Sequence, residues 1–215
     1  MMKPIFETTG QAIYVAFQIH GSEQQDSTMR KALIRVMESI NLQSDEQSEW
    51  LAQLRGTRAD STVDFEGLSS NDIRAQCALI MSAIHALLPQ AEIWALQAKY
   101  SRTDYEGPIE SRRYAFSKEK AAAIRNVARW LAERRALECV PRLALDCMVA
   151  KFYANHKKTE ISFRQLAIEF GGNHMSYARA FPKVKALLKP LEAMAIARLQ
   201  PHFEEQGIVA CQSTN

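Results

Sequence analysis

The chain lacks most of the features that would tie it to a specialised class of fold. Its four cysteines, Cys77, Cys139, Cys147 and Cys211, include no pair at the spacing of roughly two to four residues that a structural zinc site uses. They read as reduced thiols, and no metal is expected. Glycine and proline are sparse, 8 and 7 in 215 residues, which excludes collagen-like and long low-complexity tracts. No run approaches the roughly 18 uncharged apolar residues of a membrane span, so no membrane partner is expected. Met1 to Phe6 hold one lysine with no apolar stretch behind it; a signal peptide is not expected, and the chain reads as cytoplasmic. No sustained alternation of apolar and polar residues marks a strand. The five histidines, His20, His85, His156, His174 and His202, are scattered, none of them at metal-ligand spacing from a carboxylate or cysteine, and no glycine-rich phosphate loop follows a strand. These absences leave no enzyme class and no cofactor in view.

What is present is helical periodicity. At 47% hydrophobic and 24% charged residues the composition is that of an ordinary globular protein, and the expected fold class is all-α. Helices are expected near Ile5–His20, Ser27–Ile40 and Asp45–Leu54. The aperiodic run Gly56–Gly67 then serves as a linker, dividing an N-terminal helical segment, 1–62, from a helical region, 63–215. Ser70 fits as the cap of a helix through about Leu88, ended by Pro89, with a shorter one from Gln90 to about Tyr100. Ser101–Phe116 reads as irregular. Ser117 caps a cationic helix whose Lys118, Lys120, Arg125, Arg129, Arg134 and Arg135 are expected in solvent or against a partner. Pro141 suits the first turn of the next helix, in which Leu143, Ala144, Cys147, Met148 and Phe152 keep a helical period.

Charge is distributed unevenly. Residues 1–99 carry 8 Lys/Arg against 12 Asp/Glu, whereas residues 100–200 carry 19 against 10. The second half is the one suited to meet a polyanion.

Within that half, Glu160–Phe181 reads EISFRQLAIEFGGNHMSYARAF. Ser162 and Gln165 have capping-box spacing, and Phe163, Leu166, Ala167 and Phe170 fall on one stripe of a two-turn helix. Gly171 suits a left-handed exit, and Asn173 can cap a second helix two residues on. The pattern predicts a helix-turn-helix at about 162–181, with a DNA-binding unit in the C-terminal half. The second helix buries Tyr177 and presents Asn173, His174, Met175, Ala178 and Arg179 toward base edges. Lys157 and Lys158 before the motif, Arg164 at its start, and Lys183, Lys185 and Lys189 after it are candidate phosphate contacts. Pro182 should stop or kink the reading helix after about two turns. Pro190 should start a last helix, kinked near Pro201 and stopped at Gly207.

VDFEGLSSNDIRAQCALI at Val63–Ile80, LPQAEIWALQAKY at Leu88–Tyr100 and the region Ile161–Val209 together resemble the Q-type antiterminators, late-gene regulators of bacteriophages. The last of these regions is similar to region 4 of bacterial sigma factors. The resemblance implies a protein that binds DNA near a phage late promoter and joins RNA polymerase at a promoter-proximal pause. It also implies seating around the RNA exit channel and read-through of terminators, without catalysis, in the host bacterial cytoplasm. It assigns DNA contact to His174, Met175, Ser176, Ala178 and Arg179, with Arg164 and Lys183 on phosphates. The chain lacks the Cys-x2-Cys pair of the lambda-type members and their zinc site, which leaves Ser101–Phe116 without a staple. Arg125, Arg129 and Arg134, beside Trp130, form a candidate face for RNA polymerase or its sigma factor. A repressor or activator that acts by operator binding alone is the alternative.

Overall fold

The computed structural model describes residues 4–22, 70–106, 113–134, 137, 140–154 and 161–210. Among these residues the chain is predominantly helical. Its helices are α1 (Thr9–Ser22), α2 (Ser70–Leu87), α3 (Gln90–Tyr100), α4 (Lys118–Glu133), α5 (Arg142–Tyr153), α6 (Phe163–Phe170) and α7 (His174–Glu205). A hairpin of β1 (Thr103–Glu106) and β2 (Arg113–Phe116) stands between α3 and α4. The helices expected at 27–40 and 45–54, and the linker at 56–67, lie outside the described residues.

Local chemistry sets the helix ends. The Thr8 hydroxyl accepts the Gln11 amide at 3.2 Å, and the Ser117 hydroxyl the Lys120 amide at 3.2 Å, each satisfying one of the first-turn donors that a helix leaves without a partner. Pro89 and Pro141 stand as N-caps of α3 and α5 in extended conformation. At the other end, Gly207 adopts φ 66°. There the Gly207 amide donates to the Glu204 carbonyl and the Ile208 amide to the Phe203 carbonyl, which closes α7 in the paired-bond manner of a glycine stop.

The structure departs from expectation at several points. Ser101–Phe116 is not irregular throughout: among its described residues β1 and β2 pair antiparallel from Thr103 opposite Phe116 to Glu106 opposite Arg113. Ser70 is already the first helical residue of α2. Leu143 is 64% exposed although it keeps the helical period of α5. Most consequentially, α7 neither stops at Pro182 nor restarts at Pro190, but runs unbroken for 32 residues through Pro182, Pro190 and Pro201. All three prolines are exposed. The carbonyls they deprive of a donor belong to Ala178, Ala186 and Ala197, on the same outer side, where water replaces the missing bond. Tyr177, Val184, Leu188, Leu191, Ala195, Leu199 and Phe203 meanwhile bury one stripe at three- and four-residue spacing, with one gap of seven that the partly buried Ala180 and Phe181 bridge. Packing along that stripe outweighs a local cost of about 3 kcal/mol per interior proline.

The stripe serves two hydrophobic cores. From Tyr177 to Leu191 it packs with Ile124, Val127 and Leu131 of α4, Leu145 and Met148 of α5, and Leu166 of α6. From Ala195 to Phe203 it packs with Ile13 and Phe17 of α1 and Cys77, Ile80 and Ile84 of α2. Helix α3 lies between the two, giving Ala95 and Ala98 to the first and Ile93 and Leu96 to the second. Phe6, 1% exposed, forms a parallel bridge with Val209, so the segment before α1 and the segment after α7 lie together.

Charged groups between α3 and α7 are paired. Lys99 meets Glu192 at 2.6 Å, and Arg198 Nε donates to Glu92 Oε1 at 3.2 Å. The signs reverse along each helix, so only the antiparallel alignment joins opposite charges. Lys120 is not in solvent. It is 3% exposed, its ammonium 3.4 Å from the Lys99 carbonyl and 3.3 Å from that of Ser101. It thereby caps the end of α3 and staples the base of the hairpin, where the sequence offered no cysteine pair.

Candidate nucleic-acid interface

Helices α6 and α7 are joined by three residues, each with a defined task. The Ser162 hydroxyl accepts the Gln165 amide at 3.1 Å to start α6; the return bond of a full capping box is not made among the described residues. Gly171 and Gly172 follow with φ 77° and 85°, a region that strains any residue with a Cβ. Asn173 then caps α7, its side-chain oxygen accepting the Met175 amide at 2.9 Å. Tyr177, 3% exposed, donates its hydroxyl to the Gly171 carbonyl at 2.7 Å, fastening the turn to the helix that follows.

The angle between the two helices is fixed from both sides. Phe163 and Phe181 pack edge to face with ring centroids 5.4 Å apart. Lys151 at the end of α5 donates to the Ile161 carbonyl at 2.7 Å and lies 5.3 Å over the Phe163 ring. The entry to α6 is thus held by a cation that the sequence did not single out.

Asn173, His174, Met175, Ser176 and Arg179 are exposed, as are Arg164, Lys183, Lys185 and Lys189. Ala178 is only half exposed. Lys157 and Lys158 lie outside the described residues. Lys185 folds its ammonium to 4.6 Å over the Phe181 ring, on the opposite flank of α7 from Ser176 and Lys183. The flank of Ser176 and Lys183 borders a cavity of about 340 Å³, whose far wall, made by Leu137, Val140 and Pro141, comes from the connection between α4 and α5. No local signal could have marked this wall, because it precedes the turn by some thirty residues of chain.

The arginines of α4 and its C-cap Arg134 are partly engaged inside the molecule. Arg134 stacks on Trp130 at 4.0 Å, and Trp130 itself is half buried against the first core. Burial pushes the Asp146 carboxyl above its usual range, and the charges of Arg125 and Arg129 oppose that shift. All three arginines are nevertheless exposed.

Among the described residues no group of three or more His, Cys, Asp or Glu side chains could hold a metal ion, and no helix is long and apolar enough to cross a membrane. No family model, curated protein or solved structure matches the chain.

Proposed function

We propose that the chain is a DNA-binding transcription regulator in which α6 and α7 act as a helix-turn-helix, and that it works as an antiterminator on bacterial RNA polymerase at a phage late promoter. The observation that carries the reading is the capped, exposed start of α7, standing among exposed cations that have no carboxylate partner among the described residues. Gly171–Pro190 contains Arg179, Lys183, Lys185 and Lys189 and not one Asp or Glu. Such a surface suits an external polyanion. Base edges are reached from the first turns of α7, and phosphates by Arg164 and the lysines. The activity is binding without catalysis, exerted in a bacterial cytoplasm.

Binding of the full chain to duplex DNA should weaken by on the order of a thousandfold between 50 and 200 mM salt. A salt-independent isotherm would remove the DNA reading. The polymerase step is tested separately, by transcription through a terminator from a paused template with and without the protein. Unchanged read-through by a chain that binds DNA leaves operator occupancy alone as the function. One observation favours that second reading: Arg134 and the pair Arg125 and Arg129 are partly engaged by Trp130 and Asp146, which leaves α4 less free to dock a partner.

A further inference from the structure

The cavity beside the start of α7 has two unlike sides. Leu137, Val140, Pro141 and Phe170 make one side apolar. Ser176, Arg179 and Lys183 stand on the other, at three- and four-residue spacing along one flank of α7, so their side chains are neighbours. Neither Arg179 nor Lys183 has a hydrogen-bond or ion-pair partner among the described residues, and no described lining residue is a carboxylate. Tyr177 also lines the cavity, its hydroxyl already spent on the Gly171 carbonyl.

A ligand for this space must be apolar on one side and anionic on the other. A free cation pair would repel ammonium groups, and a purely apolar guest would leave a guanidinium desolvated without a counter-charge. A deoxyribose with its phosphate meets both demands: the sugar packs on the apolar wall, and the phosphate takes the planar fork of Arg179 with the point charge of Lys183. Base edges, by contrast, need fixed donors and acceptors ahead of the helix, and Arg179 borders a space at its side.

We infer that this cavity seats one sugar–phosphate unit of a bound DNA strand, and that Arg179 neutralises its phosphate together with Lys183 instead of reading a base. The inference rests on the DNA-binding reading of α7 and revises the role the sequence suggested for Arg179. Base contact then falls to His174, Met175 and Ala178, on the ridge and the opposite flank.

The test is selection from a random-sequence duplex pool by the full chain, by Arg179→Ala and by Lys183→Ala, followed by salt titrations on the duplex that the unaltered chain enriches. All three proteins should enrich the same motif. Each substitution should weaken binding about tenfold at 0.1 M salt and reduce the logarithmic salt slope by about one, while Arg179→Lys, which keeps the charge, recovers most of the slope. Methylphosphonate substitution along that duplex should reveal one phosphate whose neutralisation weakens the unaltered chain more than it weakens Arg179→Ala, in which Lys183 alone still meets it. If Arg179→Ala loses the motif at one base pair with its salt slope intact, Arg179 reads a base and the inference is wrong, although the DNA reading stands. If the unaltered chain enriches no duplex, the DNA reading falls and takes the inference with it.

Discussion

The two halves of α7 bury the same kind of stripe and use charge in opposite ways. Between Asn173 and Lys189 the outward cations Arg179, Lys183, Lys185 and Lys189 have no carboxylate partner among the described residues. Between Leu191 and Glu205, Glu192 and Arg198 are tied to Lys99 and Glu92 of α3. Charge in the second half fixes the alignment of two helices, whereas charge in the first half has no such task among the described residues. The contrast separates residues that hold the fold from residues that the fold holds out.

The strongest way to break this comparison is to show that the halves are independent. Leu188→Ala in the first core and Phe203→Ala in the second, both at 0% exposure, should each cost about 2 to 5 kcal/mol. Because α3 and α7 run through both cores, each should lower one shared unfolding transition in urea followed by circular dichroism. Two separate transitions would mean that the long helix does not couple the cores.

A smaller effect sharpens the difference in charge. Arg198→Ala leaves Glu92, which is 3% exposed, without its counter-ion, and its second oxygen already has no partner. A loss of about 2 kcal/mol is expected, and Glu92→Gln in the same chain should recover most of it. Lys183→Ala in the other half should move stability by less than about 0.5 kcal/mol. A comparable loss there would show that the first-half cations hold the fold too.

Lys120 extends the comparison to pH. Burial lowers its ammonium from 10.5 to about 8, so the unfolded chain holds that proton more tightly than the folded one. At pH 7 both states are protonated and the folded state carries the full cost of burying the charge. As the pH climbs from about 8 to 10.5 the folded chain loses the proton first, and stability from this group rises. Lys120→Met should lack that rise, so the difference in thermal midpoint between the two chains should change between pH 7 and pH 10. A constant difference would assign the buried charge elsewhere. Pro182→Ala restores one exposed backbone bond, but it also frees the unfolded chain, so of the proline's local cost only about 1 kcal/mol should be regained, read as a higher thermal midpoint.

Features settled within a few residues of chain were legible in the sequence. The caps at Ser117, Ser162 and Asn173, the turn at Gly171 and the stop at Gly207 all stand where side-chain chemistry placed them. The hairpin was not legible, since strands of four residues are too short to show an alternating pattern. Continuity of α7 was missed because a proline is judged by an average helix interior, while Pro182, Pro190 and Pro201 all fall on the side away from both cores. Lys120 was missed because its burial depends on carbonyls of α3, some twenty residues earlier. At the candidate interface the exposed residues of α7 were foreseen from the cap and the stripe, apart from the half-buried Ala178. The opposing wall of Leu137, Val140 and Pro141 depends on how α5 docks, which periodicity does not encode.

The unbroken course of α7 also has a mechanical meaning. At 32 residues the helix is a rod of about 48 Å, gripped at one end by α4, α5 and α6 and at the other by α1, α2 and the bridge between Phe6 and Val209. A partner that levers its first turn therefore pushes on the clasp where the two ends of the described chain meet. The three prolines, each with one missing backbone bond, are the points at which that rod yields first.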